Sequence, residues 1–295
     1  MHEAVLLEEV IEALDPHPGE FVIDGTVDGG GHAAAVLERI MPQGMFLGVD
    51  WDETMIRKRI DNKQYGDRER YVCGNYADLP AILAQEECPK ADGLLLDLGF
   101  SSDQLEASGR GFSFSESSRD EPLIMTYDPA AKPVAHVIRE ESESSLADII
   151  YQYGGERRSR AIAKAIKLAG RQTPITTSGQ LADVVRNALP RNYERGRIDP
   201  ATRTFQALRI YANGELANLE RILAVARDIM AAGGRIAIIT FHSLEDRIVK
   251  RAFQRMATAG EASLLAKKPV AASREEVVRN PRSRSAKLRA LRMNP

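Results

Sequence analysis

Short, largely apolar runs alternate with longer stretches of helical periodicity along most of the chain. The runs predict five β-strands, at Glu20–Asp24, Met45–Asp50, Arg70–Gly74, Asp92–Gly99 and Arg235–Phe241. Apolar runs of this length are typical of strands that are buried on both faces. Because helical stretches separate them, the pattern predicts an α/β fold with a parallel-dominated sheet.

Helices are predicted between the strands of the first half and on either side of the fifth strand. They cover Gly31–Ile40, Glu53–Asp61, Ala77–Glu87, Leu216–Ala231 and Leu244–Met256. A basic tail with few hydrophobic residues follows the last of these helices.

The interval between the fourth and fifth strands is too long for a loop. It has about 110 residues, and helical patterns occupy Glu143–Tyr151, Ser159–Ala169 and Gly179–Leu189. Loops of that length without secondary structure are uncommon in compact domains. We therefore predict one discontinuous domain, residues 1–104 and 212–295, that is interrupted by an all-helical subdomain at residues 105–211.

Composition narrows the class of protein. The chain has 295 residues, of which 43% are hydrophobic and 28% charged, and this mix argues against disorder. Its apolar runs are much shorter than the roughly 18 residues of a membrane helix, and its first residues lack the pattern of a signal peptide. The two cysteines, Cys73 and Cys88, are remote from any histidine cluster. We therefore expect a protein of the reducing cytoplasm without a structural zinc site.

The formal net charge of −2 conceals an asymmetry along the chain. Residues 1–154 contain 12 Lys or Arg and 30 Asp or Glu, a balance of −18. The balance is +8 for residues 155–211, −2 for residues 212–246 and +10 for residues 247–295. The later segments are therefore candidates for binding a polyanion, although basic side chains that merely solvate helices would give the same pattern.

A glycine-rich loop follows the first predicted strand. Its sequence from Asp24 to His32 is DGTVDGGGH, and a helix comes directly after it. Glycines at such a position let the backbone turn sharply and let a ligand approach the amino terminus of the helix. Many nucleotide-binding folds share this feature. The carboxylates of Asp24 and Asp28 would repel the pyrophosphate of NAD but attract the ammonium and sulfonium groups of S-adenosylmethionine, so the loop favours the latter.

Further candidate residues stand where the predicted strands end. Asp50 ends the second strand at the spacing of an acid that binds ribose hydroxyls, and Tyr76 follows the third strand, where its ring could pack on adenine. Asp97 ends the fourth strand. Each residue alone could be a turn or capping residue. Their joint placement favours a binding site, because ligands of open α/β sheets lie beyond the carboxyl ends of the strands.

Six segments, in order along the chain, give a more specific signal. They are DGTVDGGGH, LLLDLGFSSDQL (Leu94–Leu105), RGFSF (Arg110–Phe114), PATRTFQALRI (Pro200–Ile210), FHSLEDRIVK (Phe241–Lys250) and NPRSRSAKLR (Asn280–Arg289). Together they closely resemble the ribosomal RNA small subunit methyltransferase H family, over essentially the whole chain. The resemblance implies a Rossmann-like class I methyltransferase with a helical insertion. It also implies that S-adenosylmethionine is used to methylate the exocyclic N4 amine of a cytidine in 16S ribosomal RNA, at the decoding centre.

The resemblance assigns cofactor contacts motif by motif. The contacts that it implies are Gly30, Gly31, His32, Asp50, Tyr76, Asp97 and Gln104. The charge argument adds Asp24 to this set. Without the family, His32 could equally be an ordinary residue at the start of a helix.

The chain departs from the family pattern at several positions. Asp28 stands where the family has glycine, which removes backbone freedom or adds an acid near the cofactor ammonium. Ile124 and Thr126 replace an acid and an arginine, Arg139 replaces an asparagine, and Gly155 replaces a glutamate. Joint loss of an ion pair can be nearly neutral, whereas an altered RNA contact would reduce activity. The departures therefore bear more on the substrate than on the cofactor.

Methyl transfer to a cytosine amine calls for a proton acceptor, because the lone pair of that nitrogen is delocalised into the ring. Asp97 and the turn at Ser101 follow the fourth strand, and His242 follows the fifth. We predict these three as catalytic residues: Asp97 holds the cofactor, while Ser101 and His242 frame the cytosine. Ser243, with Asp246 three residues later, is interpreted as the cap of the next helix.

The basic segments are expected to clamp the RNA backbone. The candidate side chains are Arg157 and Arg203 in the insertion, Arg247 and Lys250 on the last helix, and Arg282 and Arg284 in the tail. Arg203 could equally be a structural link between the subdomains. The expected partners are 16S ribosomal RNA and the small subunit, with no membrane and no metal, and a homodimer stays open.

Two alternatives to an active cytidine methyltransferase stay open at this point. The first is a protein of methyltransferase fold that binds RNA or assembly intermediates with reduced catalysis, which the changes at Asp28, Ile124 and Thr126 motivate. The second is an enzyme that methylates another amine or uses a dinucleotide.

Overall fold

Residues 4–98, 109–190, 193 and 199–295 are described by a computed structural model, and the chain falls into two units. One unit comprises Met1–Gly99 with Leu216–Pro295, and the other comprises Phe100–Glu215. The first contains the β-sheet, and the described residues of the second are mostly helical. None of the helices within the described ranges has the length and apolar character that a bilayer-spanning segment requires.

Five parallel strands form the centre of the sheet, in the order β3-β2-β1-β4-β5. They are β1 Phe21–Asp24, β2 Met45–Asp50, β3 Glu69–Cys73, β4 Ala91–Asp97 and β5 Met230–Thr240. Each predicted strand is found, and the predicted α/β fold with a parallel-dominated sheet is confirmed. β5 begins earlier than predicted, because the glycines at 233 and 234 interrupt its apolar pattern without ending the strand.

The basic tail completes the sheet beside β5. β8 (Lys287–Met293) pairs antiparallel with β5, and the short strands β6 (Ala262–Leu264) and β7 (Val270–Ala271) pair with β8. No strand was predicted in this segment. Lys287 and Arg289 alternate with the buried Leu288 and Ala290, and these basic residues conceal the strand.

Helices cover both faces of the sheet. On one face lie α1 Leu7–Leu14, α2 Gly31–Ile40 and α3 Glu53–Asp61, and on the other lie α4 Leu79–Gln85, α10 Glu215–Ile229 and α11 Ser243–Thr258. The short helix α12, Arg274–Arg279, belongs to the tail. Successive strand residues alternate between the two cores: Leu94 and Leu96 of β4 enter one, and Leu95 enters the other. The carboxyl ends of the strands are left as one edge of the sheet, where ligands of such folds bind.

The helical unit has a hydrophobic core of its own. Its helices are α5 Val134–Glu140, α6 Glu143–Gly154, α7 Ser159–Gln172, α8 Ser178–Asn187 and α9 Ala201–Asn213. Residues at helical spacing, such as Ile162 and Ile166 of α7, face this core. α6, α7 and α8 match predicted helices, whereas α5 and α9 have no predicted counterpart. The 3₁₀ turns of the described chain cover Gly66–Arg68, Tyr76–Asp78, Glu116–Ser118 and Pro281–Ser285.

Candidate cofactor-binding site

The candidate site lies in the sheet unit, at the carboxyl edge of the parallel strands. Asp24, Asp50 and Asp97 are the last residues of β1, β2 and β4, and Tyr76 follows the end of β3. Since β1 pairs with both β2 and β4, and β2 pairs with β3, these strand ends are neighbours. The register of the sheet therefore brings four of the predicted side chains to the same edge.

The loop between β1 and α2 is anchored to the strands on either side of β1. Gly25 N donates to Leu95 O of β4 at 2.9 Å, and Val27 N donates to Val49 O of β2 at 3.1 Å. Gly30 is the residue that precedes α2, and its φ of 75° lies in the left-handed region. Glycine is favoured at this position because it adopts that conformation without a steric penalty.

Asp28 occupies a strained backbone conformation within this loop. Its φ of 35° lies in the left-handed region, which residues with a Cβ atom seldom adopt. Its N–H donates to Asp50 Oδ2 at 2.9 Å and so joins the loop to the end of β2. Glycine, which stands here in the family pattern, would make the same turn without strain.

Asp24 is deeply buried, with 2% of its surface exposed. Burial raises the pKa of its carboxyl to about 7, and the neighbouring Asp97 and Asp50 add to the rise. Thr26 opposes the rise, because its N–H and its hydroxyl donate to Asp24 Oδ1 at 3.0 and 3.4 Å. A cationic ligand would stabilise the ionised form of this acid by replacing the solvation that burial removes.

Asp50 binds one backbone N–H on each of its carboxylate oxygens. Asp52 N donates to Oδ1 at 2.8 Å, and Asp28 N donates to Oδ2 at 2.9 Å. Burial nevertheless raises the pKa of Asp50 to about 6, and the charges of Asp28 and Asp52 contribute to the rise. Each oxygen keeps a second acceptor position, which suits a pair of ribose hydroxyls.

Asp97 is connected to Asp24 through Thr26 and also lies near His32. The Asp97 N–H donates to the Thr26 hydroxyl oxygen at 2.7 Å. His32 Nδ1 is 3.8 Å from Asp97 Oδ2, and His32 Nε2 is 3.0 Å from the carbonyl oxygen of Val5. Since a carbonyl oxygen only accepts, Nε2 carries a proton. The buried His32 therefore has a structural contact in addition to its place beside Asp97.

Tyr76 lies against the loop after β1. It begins a 3₁₀ turn that Asn75 caps, with Asn75 Oδ1 accepting from Ala77 N at 2.8 Å. A Cβ atom built on Gly25 would be 3.0 Å from the Cβ of Tyr76. The half-buried Tyr76 therefore begins close to the loop, and its side chain also packs against the hydrophobic core of the sheet. Two further predicted residues, Ser101 and Gln104, lie outside the described residues.

His242 follows β5 and caps α11. Its Nδ1 accepts the Glu245 N–H at 3.4 Å, while Glu245 Oε2 accepts the N–H groups of Phe241 and His242 at 2.9 and 3.2 Å. Its Nε2 lies 2.9 Å from Glu245 Oε1 without the alignment of a hydrogen bond. Nδ1 thus binds the backbone of Glu245 and Nε2 lies beside its buried carboxylate, and in this arrangement His242 stabilises the start of the helix.

The interpretation of Ser243 as the helix cap is wrong. His242 is the cap, and Glu245 rather than Asp246 completes the capping box. Asp246 instead pairs with Arg289 of β8 at 2.7 Å. A histidine that accepts a backbone hydrogen bond can replace the usual serine, and sequence preferences alone do not indicate this exchange.

The predicted RNA-binding residues of the helical unit differ in their surroundings. Arg157 is exposed just before α7. Arg203 Nη1 lies 3.5 Å from Oε2 of Glu156, which is 1% exposed and also accepts the Tyr193 hydroxyl at 2.5 Å. This ion pair lies within the helical unit, so it gives Arg203 a structural contact there but does not test the predicted link between the subdomains.

In the sheet unit, Arg247 and Lys250 lie on the exposed face of α11, opposite the buried Val249 and Phe253. Arg284 is exposed in the tail, and Arg282 is half-buried. The four predicted side chains are thus on or near the surface of this unit.

The departures from the family pattern in the helical unit have distinct settings. Thr126 is 1% exposed, and its hydroxyl has no hydrogen-bond partner in the described part of the chain. Ile124 is half-buried, and Arg139 is exposed and pairs with Glu140 at 3.2 Å. Gly155 ends α6 with φ 64°, a left-handed cap that favours glycine over glutamate.

Sequence reasoning missed two residues that shape the site. Thr26 bridges Asp24 and Asp97, although it stands within the loop that drew attention to the site. Arg59 of α3 donates to the carbonyl oxygen of Gly29. It is one of several basic residues on that helix, and no local pattern distinguishes it.

The chain is similar to known proteins over nearly its whole length. The MraW methylase family matches residues 1–294. Ribosomal RNA small subunit methyltransferase H of Syntrophus aciditrophicus is 44% identical, with 98% of this chain and 96% of the relative covered. The protein of the same name from Trichlorobacter lovleyi is 43% identical, with 98% and 97% covered. Among solved structures, TrmN from Thermus thermophilus is 12% identical with a TM-score of 0.45, and the match covers 98% of this chain and 48% of that one.

Proposed function

Because the chain belongs to the MraW methylase family, we propose that it transfers a methyl group from S-adenosylmethionine to the N4 amine of a cytidine in 16S ribosomal RNA, at the decoding centre. The names of its relatives support small-subunit ribosomal RNA as the substrate. The observation that carries the cofactor assignment is the row of carboxylates, Asp24, Asp50 and Asp97, at the carboxyl edge of the sheet. For such a substrate we expect the enzyme to act in the bacterial cytoplasm.

The residues at this edge fit S-adenosylmethionine chemically. Burial raises the pKa of Asp24 to about 7, so its ionised carboxylate is poorly solvated. It would attract the cationic end of the cofactor. Asp50 would accept the ribose hydroxyls, and Tyr76 would stack on the adenine. Gly30 and Gly31, at the start of α2, would contact the cofactor through their backbone atoms. Gln104 would add a further contact with the cofactor.

The remaining residues would orient the cytosine amine toward the cofactor. S-adenosylmethionine supplies a methyl group on a cationic sulfur. We assign Asp97 to the cofactor, and Ser101 and His242 to the cytosine. Glu245 binds the N–H groups of both Phe241 and His242, so it can hold this turn while the His242 ring rotates toward a base. Correct placement of the amine would supply most of the rate enhancement.

Basic side chains on or near the surface would hold the RNA backbone. We propose this role for Arg157, Arg247, Lys250, Arg282 and Arg284, and a mainly structural role for Arg203 because of its pairing with Glu156. Each phosphate contact releases counterions, so affinity for RNA should fall steeply with added salt. Arg247→Gln combined with Lys250→Gln should lower the slope of this dependence, whereas Arg39→Gln, an exposed change on α2, should leave it unchanged.

A methyl-transfer assay on small subunits that lack the modification tests the proposal. We expect transfer with wild-type protein, N4-methylcytidine in the digested RNA by mass spectrometry, and loss of cofactor binding with Asp50→Asn. Asp61→Asn, an exposed change on α3, is the control. Cofactor binding without transfer would favour the alternative of an RNA-binding protein with reduced catalysis. Failure of the wild-type protein to bind S-adenosylmethionine would overturn the assignment.

A further inference from the structure

The loop after β1 is held from outside by Arg59, which belongs to the following βα unit. The Arg59 side chain extends from α3, and its Nη2 donates to the carbonyl oxygen of Gly29. The guanidinium lies so close to Gly30 that a Cβ atom built there would overlap it. The helix after β2 therefore contacts the loop after β1 at the point where α2 begins.

Gly29 lies between two residues in left-handed conformations. Asp28 has φ 35°, and Gly30 has φ 75°. The N–H groups of these two neighbours are bound to Asp50 Oδ2 at 2.9 Å and Val27 O at 2.8 Å. The bond from Arg59 adds a restraint on the carbonyl side of the same turn. Without it, relief of the strain at Asp28 would favour other loop conformations.

Among the described residues, Gly29 is the hydrogen-bond partner found for the Arg59 guanidinium. Its Nε is buried and has no hydrogen-bond partner within the described ranges. The bond to Gly29 is therefore a principal contact of the guanidinium. Its main effect is to restrain the loop.

A cavity of about 150 Å³ lies next to Arg59, and Gly30 and Tyr71 are among the residues that line it. A shorter side chain at position 59 would enlarge this space without forcing neighbouring side chains to move. A small solute could then enter it from solvent.

We propose that Arg59 is a positioning residue for the cofactor: its bond to Gly29 keeps the loop in the conformation in which Gly30 and Gly31 meet S-adenosylmethionine. The inference rests on the proposed function. Arg59 acts through the loop and does not touch the reacting groups. Its loss should therefore raise the Kd and KM for S-adenosylmethionine in proportion to the fraction of loops that leave this conformation, and should leave kcat at saturation unchanged.

Calorimetry with three variants tests the inference. Arg59→Ala should weaken S-adenosylmethionine binding about tenfold, as expected when about a tenth of the loops remain competent. Arg59→Lys should lie between this variant and the wild type. Arg57→Ala is the matched control, because Arg57 is exposed on the same helix and pairs with Glu53 at 2.6 Å. Its affinity should equal that of the wild type.

Chemical rescue separates positioning from general packing. Guanidinium at a few millimolar, well below denaturing concentrations, should restore affinity to Arg59→Ala by entering the enlarged cavity, whereas methylammonium at the same concentration should not. Unchanged affinity in Arg59→Ala, loss of affinity without rescue, or a fall in kcat with constant KM would each overturn the proposal. If Arg59→Ala does not fold, Arg59→Gln is judged by the same criteria. If the wild type itself does not bind S-adenosylmethionine, the proposed function fails together with this inference.

Discussion

Asp24→Asn removes a buried charge while nearly preserving the shape of the side chain. The carboxyl is 2% exposed, and burial raises its pKa from the ordinary value of 3.8 to about 7. The Thr26 N–H, which donates to Asp24 Oδ1 at 3.0 Å, can donate equally to the amide oxygen of asparagine. We therefore expect the variant to fold, to be more stable than the wild type without ligand, and to bind S-adenosylmethionine more weakly.

The magnitude follows from the pKa of Asp24. A rise of about 3 pKa units corresponds to about 4 kcal/mol against the ionised folded state. The asparagine amide introduces N–H donors, and imperfect pairing of these donors would cost about 1–3 kcal/mol. The expected net increase in the free energy of unfolding is roughly 2 kcal/mol at a pH above 7.

The increase should depend on pH with a definite sign. Asp24 titrates at about pH 7 when folded and near 3.8 when unfolded, so between these values the folded state keeps a proton that the unfolded state has lost. The Asp24 contribution to wild-type stability therefore falls as the pH rises through this window, and it is constant above about pH 7. The advantage of the variant should be largest above about pH 7. Below about pH 4 only the amide pairing cost of about 1–3 kcal/mol should remain, so the variant should then be less stable than the wild type.

Urea unfolding measured by tryptophan fluorescence tests this reasoning. Trp51 is the only tryptophan of the chain and reports on the sheet unit, next to Asp50. The unfolding free energies of the wild type, Asp24→Asn and the exposed control Asp61→Asn would be compared at about pH 8 and about pH 4.5, and calorimetry would give the cofactor affinities. A variant that is less stable than the wild type at the higher pH, or a stability difference that is the same at both, would refute a penalty from a buried charge.

Three further changes test other parts of the structure. Asp28→Gly should raise the free energy of unfolding by about 1 kcal/mol, because glycine tolerates the φ of 35°; no gain in the urea assay would contradict the strain. Arg235→Met should cost about 2–3 kcal/mol, since it removes both hydrogen bonds from Arg235 to the half-buried carboxylate of Glu20, at 2.7 and 2.8 Å, and a small shift in thermal denaturation would exclude this. Thr126→Val should stabilise the helical unit by about 1 kcal/mol, because it removes a buried hydroxyl without a partner in the described chain; a loss of helical signal at lower temperature would point to an essential hydroxyl.

Local patterns were sufficient to predict the five parallel strands and the residues at their ends. Asp24, Asp50 and Asp97 are recognisable because each ends an apolar run, and parallel pairing then brings them to one edge. Residues whose role depends on distant parts of the chain were harder to predict. Arg59 contacts Gly29, about thirty residues earlier, and nothing in the sequence around either residue indicates the contact. Such contacts depend on the packing of α3 against the loop, which periodicity does not encode.

The tail and the helix cap illustrate a second limit. β8 has the alternation of a strand, but Lys287 and Arg289 give it the composition of a solvated tail. Both residues pair with Asp246, at 3.5 and 2.7 Å, and this acid was assigned to the capping of α11. Composition identifies charges but not their partners, so the functions of basic and acidic residues in these segments could be separated only from the structure.

These pairings also change the meaning of the basic segments. The balances of +8 and +10 were interpreted as positive charge available to RNA. Arg209 makes a two-bond contact with Glu215 at 2.8 and 2.9 Å, and Arg289 pairs with Asp246. A cation that already neutralises an internal acid holds few counterions that RNA could release, so it contributes little to the dependence of RNA affinity on salt. The number of phosphate contacts should therefore follow exposed residues such as Arg157, Arg247 and Arg284 rather than the total of basic residues in the two segments.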